Sequence, residues 1–144
     1  MVVSFDLLSD LDWIAVLVGA IAYFVIGAAW YAPPVFGKAW MAAGGMEMPA
    51  DGQRPGPVIY AVPLLGALAS AIAIGMIAFA TSTDTLGEGV VLGVVVGIGF
   101  AVSVAMVTAT FESGKPSATK WGTINAGYHL VGNLVAAIII ASMA

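Results

Sequence analysis

The side chains best suited to chemistry stand on the last apolar stretch of the chain. Asn125, His129 and Asn133 recur every four residues and so share one helical face, with Tyr128 next to the imidazole. Gly122, Gly132 and Ala136 thin the helix beside them. Counted from Trp121, His129 lies roughly 12 Å into the stretch. A polar group at that depth of a membrane must be satisfied inside the protein or face a cavity. Two readings stand side by side. In one, His129 is neutral and bonds Ser70, Ser103, Thr108 or a backbone carbonyl, and the asparagines lock the helix to its neighbours. In the other, the imidazole titrates or meets a substrate along a small polar pathway, since histidine changes charge near neutral pH.

The remaining acid–base groups are few. Lys38 and Glu112 fall on the two long loops, where a Lys38–Glu112 ion pair would set loop register. With His129 they are the only acid–base candidates, and no serine or threonine lies in a nucleophile motif. The expectation is therefore a non-enzyme with no cofactor. The chain has no cysteine and one histidine, which excludes thiolate chemistry and multi-histidine zinc. Asp6, Asp10, Asp12, Asp84 and Glu88 read as helix-capping acids rather than a cation site. Four Lys+Arg exclude a basic patch for nucleic acid.

The elements that must position these groups follow from composition. Of 144 residues, 61% are hydrophobic and 8% charged, against about 25% charged in a soluble domain. Four runs, at about 13–32, 58–80, 86–110 and 121–143, reach the about 20 residues that cross a bilayer. Continuous apolarity rather than two-residue alternation makes them helices. The predicted fold is all-α: one domain, a four-helix membrane bundle over residues 1–144. No Lys or Arg precedes the first run, which reads as a permanent helix rather than a cleaved signal.

Lys38, Arg54, Lys115 and Lys120 all fall in the first and third connections. The positive-inside rule puts those loops in the cytosol and both termini outside. Pro33-Pro34 ends helix one, and residues 34–43 are expected to form a short interfacial helix with Phe36 and Trp40 on one face. Gly44-Gly45 ends it, and residues 46–57 read as a mobile connector. Ser9…Asp12 and Thr85…Glu88 both fit capping boxes. Trp13, Trp30, Tyr31, Trp40, Tyr60 and Trp121 are placed at the interfaces as an aromatic belt.

Small residues decide how such helices meet, because lipid offers no hydrophobic force between them. Gly89, Gly93, Gly97, Ala101, Ala105 and Ala109 form one row; Gly66, Ser70 and Gly75 form another. The rows serve packing inside the bundle or a contact between copies.

Two segments resemble a known family. They are Gly27-Ala-Ala-Trp30-Tyr31-Ala-Pro33-Pro-Val-Phe36-Gly37-Lys38-Ala-Trp40-Met41, and Phe111-Glu112 followed by Ile124-Asn125-Ala-Gly127-Tyr128-His129-Leu130. Together they look like domain of unknown function 1761, small bacterial four-helix membrane proteins. That family has a WYSP-x-x-FGK-x-W motif ending helix one and an N-x-GYH-type motif in helix four. The chain departs from it in Ala32, where serine is common, and in an extra Pro34. The resemblance implies a bacterial inner-membrane location and brings no activity. It singles out Trp30, Tyr31, Pro33, Phe36, Gly37, Lys38 and Trp40, with Asn125, Tyr128 and His129, as two motifs. By the orientation above both lie toward the cytoplasmic side, and position alone suggests that they converge there, with Lys38 and the interfacial helix roofing the cytoplasmic end of helix four. The function expected is a structural or interaction subunit that self-associates or joins a larger membrane complex. The alternative is a small transporter or channel past Asn125, His129 and Asn133, for a small molecule or ion that the sequence does not identify.

Overall fold

The computed structural model describes residues 3–47, 50 and 56–144. Among them there are helices and turns and no strand. Helix α1 is Trp13–Trp30, the short α2 is Lys38–Gly44 and α3 is Val58–Thr81. The third span is continuous from α4 (Leu86–Val96) through a π-helical segment (Gly97–Val102) into α5 (Ser103–Phe111). Helix α6 is Ala118–Met143. Four of these units, 18 to 26 residues long, are apolar enough to cross a membrane. Much of the connector predicted over 46–57, Asp51 and Arg54 included, lies outside the described residues.

Local chemistry sets the ends. Asp12 is itself the cap of α1, its carboxylate accepting from the Ile14 and Ala15 amides at 2.9 and 3.1 Å. The capping box expected from Ser9 therefore does not form: the Ser9 hydroxyl donates to the Asp6 carbonyl at 2.7 Å, closing the turn Phe5–Ser9. The second expected box is present, with Glu88 N–H on Thr85 and the Glu88 carboxylate on the Thr85 amide. Ala32 turns extended before Pro33, which stops α1. The chain then makes one π turn, Pro33–Gly37, before α2. A side chain at Gly37 would collide with the Tyr31 carbonyl, so this reversal requires glycine. Gly45, at φ +69°, closes α2 in the left-handed conformation. In place of one helix over 34–43 the chain thus makes a π turn and then α2, whose far end is tied to the start of α6 by Ser117 N–H on the Ala43 carbonyl, 3.0 Å.

Helix α6 is the hub. It packs along both α1 and α4, carries α5 and α2 on its first half, and touches α3, which lies mainly on α1. The core is built largely of alanine, with Ala71, Ala136 and Ala137 fully buried, plus Val16 and Ile74. This is close backbone packing of the kind lipid-immersed helices use. The row on the third span is spent inside the protomer. A Cβ at Gly93 would lie 2.6 Å from the Leu134 Cα, one at Gly97 2.7 Å from Leu134's neighbour-turn residue Leu130, and one at Gly89 2.9 Å from Ala141. Gly66 departs from the expectation: it is exposed, and an added Cβ would meet nothing within 4 Å. The α3 surface that does pack is one turn away, at Ala67, Ala71, Ile74 and Ala78.

Candidate functional site

Tyr23, at the middle of α1, ties the polar face of α6 into a network. Its hydroxyl lies 2.8 Å from His129 Nδ1, and Asn133 Nδ2 donates to the same oxygen at 3.1 Å. Asn133 Nδ2 also donates to the His129 carbonyl at 2.7 Å. A carbonyl only accepts, so the amide orientation is fixed. The Tyr23 oxygen accepts from Asn133, and its single proton has two acceptors in reach, Nδ1 at 2.8 Å and the His129 carbonyl at 3.5 Å, of which we assign it to the nearer. The network therefore assigns His129 as the neutral tautomer with its proton on Nε2. Glycine makes room: the Tyr23 ring lies flat over Gly132, inside the space any Cβ would need.

A second cluster stands about one turn from the first, toward the start of α6. Asn125 Oδ1 accepts from the Tyr31 hydroxyl at 2.7 Å and from Trp40 Nε1 at 2.9 Å. Trp40 Nε1 is a donor only, which again fixes the amide. Trp30 Nε1 donates to the Ile124 carbonyl at 3.0 Å, and its ring covers Gly127. Tyr128 joins the clusters, edge-on to Tyr23 and to Tyr31 with centroids 5.4 Å away in each case. Its hydroxyl lies over Gly27. Phe36 stacks on Trp30 at 4.6 Å, and Tyr31 meets Trp40 at 5.0 Å.

The two sequence motifs are thus brought together through Trp30, Tyr31, Phe36 and Trp40 on one side and Asn125 and Tyr128 on the other. Three of the aromatics assigned to the belt, Trp30, Tyr31 and Trp40, instead turn onto α6, because their N–H and O–H groups find acceptors there. Pro33 and Gly37 shape the reversal and Lys38 is exposed. The expected Lys38–Glu112 pair is not made. Glu112 pairs with Lys115 at 3.5 Å, three residues along its own loop, which costs less chain ordering than bridging two loops. Lys115 also lies over the Trp121 ring, 4.4 Å from its centroid. Asp6, Asp12 and Glu88 are engaged in turns and caps.

Two cavities flank the Tyr23–His129 pair. The larger, about 680 Å³, lies between α1, α3 and α6 and runs from Trp40 and Tyr60 to Ser70 and His129. The smaller, about 350 Å³, lies between α3, the third span and α6. Tyr23, Ser70 and His129 line both, so they form the partition between them. Among the described residues, no acid, lysine or arginine lines the larger cavity. The π segment of the third span borders the smaller one at Phe100 and Ala101. Such segments insert an extra residue in a helix turn and recur beside functional sites. Here Ser103 Oγ donates to the Ile98 carbonyl at 2.9 Å, satisfying a group the wider turn releases.

The family profile for "Protein of unknown function (DUF1761)" matches residues 14–141. The chain belongs to that family. Comparison with curated proteins and with solved structures gives no match. The DUF1761 match spans both motifs and all four apolar helices, so the aromatic clamp of α1 and α2 on α6 lies within the family's region. Sequence reasoning missed Tyr23, the residue that organises the site. The available signal was a lone tyrosine at mid-span, four residues before Gly27 and eight before Tyr31 on a common face. Ser70, expected both in a packing row and as a partner of His129, lines both cavities.

Proposed function

We propose that this membrane protein is a small-molecule carrier, whose substrate occupies the chamber between α1, α3 and α6 and passes the Tyr23–Ser70–His129 partition. The observation that carries this reading is the pair of cavities meeting at that partition, at roughly 16 Å along α6, near the middle of a span. The reading has no bond-making step and no cofactor. We place the protein in the bacterial inner membrane, with the Lys-bearing loops cytosolic and the termini outside, on the strength of the charge asymmetry.

The second reading, a subunit that self-associates or accompanies a larger membrane complex, is favoured by the third span, of which 11% is buried against 44% for α6. The glycine row no longer supports it, being spent on α6.

The absence of cysteine makes a clean test. Ser70→Cys in liposomes is treated with a membrane-impermeant, uncharged sugar-linked thiosulfonate from each side in turn. The carrier reading expects labelling from both sides, while Ala71→Cys, fully buried one residue on, stays unlabelled. Labelling of Ser70→Cys from neither side, or from one side only, removes the carrier reading.

A further inference from the structure

The chemistry left unspent in the chamber identifies a ligand class. His129 Nδ1 is taken by Tyr23, so the proton on Nε2 is the imidazole's one remaining donor, and it has no acceptor among the described residues. The Tyr128 hydroxyl, laid over Gly27, likewise has no hydrogen-bond partner among them. Both residues line the larger cavity and are adjacent in sequence, with ring centroids 4.7 Å apart. These two donors, with the hydroxyl-bearing Ser70 and Tyr60, border one largely apolar chamber.

A cation finds no carboxylate among the described lining residues, and an unpaired charge at that depth is costly. An anion finds no lysine or arginine among the same described residues. A hydrocarbon would strip water from both donors and return nothing. A neutral carbonyl oxygen, with two lone pairs, satisfies them. The other walls are aromatic: Phe24, Tyr31, Trp40 and Tyr60 present rings that stack on a planar partner. The volume, about 680 Å³, suits a drug-sized molecule of the about 300–1,000 Å³ class rather than one small ring. The chamber's edge on α3, at exposed Ile59 and Val62, is apolar and faces outward from the bundle, giving a chain on such a ring a path to lipid.

We propose that the chamber binds a neutral, planar, quinone-type carbonyl compound, its ring between the aromatic walls and its carbonyl oxygen held by His129 Nε2–H and the Tyr128 hydroxyl. This rests on the reading of the cavity as a ligand chamber.

The single histidine supplies a direct probe. Protein labelled with ¹⁵N-histidine is placed in nanodiscs and titrated separately with naphthoquinone, naphthalene and trimethylphenylammonium. Nanodiscs carrying His129→Phe and Tyr128→Phe are the matched controls, which cancels partition into lipid. Naphthoquinone is expected to shift the Nε2–H resonance and to bind about two- to tenfold tighter than naphthalene, the worth of a net hydrogen bond. Each substitution should reduce the ratio of naphthoquinone to naphthalene affinity. Equal binding of naphthoquinone and naphthalene with an unmoved Nε2–H resonance overturns the proposal and leaves the chamber reading intact. Selective binding of trimethylphenylammonium overturns it in favour of a cation cage. No saturable binding of any probe overturns it, and only if Ser70→Cys is also unlabelled does the chamber reading fall with it.

Discussion

Replacing Tyr23 by phenylalanine isolates the network from the packing around it. The ring still fills the space over Gly132 and still meets Tyr128 edge-on. What is lost is one oxygen that donates to His129 Nδ1 at 2.8 Å and accepts from Asn133 Nδ2 at 3.1 Å. Interhelical hydrogen bonds in membranes average about 0.6 kcal/mol and reach about 1.7 kcal/mol. Two such bonds, between α1 and α6, put the cost at roughly 1–3 kcal/mol. The destabilisation is read by reversible unfolding in mixed micelles. A second readout is specific to the hydroxyl. The Tyr23 proton is what holds Nδ1 as an acceptor, so removing it should let the Nδ1–H tautomer appear in the ¹⁵N spectrum of the lone histidine. Asn133 Nδ2 keeps its bond to the His129 carbonyl, which should hold the helix geometry near the site. A Tyr23→Phe protein that unfolds like the wild type and keeps the same tautomer spectrum would refute the assigned network.

Two further outcomes test the frame around the site. Gly93→Ala should cost about 1–3 kcal/mol, because the new Cβ falls 2.6 Å from the Leu134 Cα and backbone must move, whereas Gly66→Ala should be neutral or slightly stabilising, as exposed helical Gly→Ala is; paired unfolding curves decide, and equal costs would contradict the packing of the third span on α6. Asn125→Ala strips the acceptor shared by Tyr31 and Trp40, so amide exchange over 38–44 should accelerate while that over 130–140 holds, measured by hydrogen exchange in nanodiscs.

Much of this protein is written in one dimension. The four spans are legible because bilayer thickness and backbone satisfaction act on any apolar run of sufficient length, whatever it touches. The Asp12 and Glu88 caps, the stop at Pro33 and the left-handed Gly45 are local in the same sense: each depends on side chains and dihedrals within a few residues. The polar face of α6 follows from helical period alone. Pairings between distant segments are of a different kind. Whether the glycine row met α6 or another copy, whether Glu112 chose Lys38 or Lys115, and whether Trp30 and Trp40 faced lipid or protein depended on which surfaces came within a few ångströms, and period does not encode that. Tyr23 stands 106 positions from His129 in sequence. Only the packing of α1 on α6 brings that hydroxyl to the imidazole, and only the gap left beside α3 makes the hydrogen-bonded histidine part of a cavity wall.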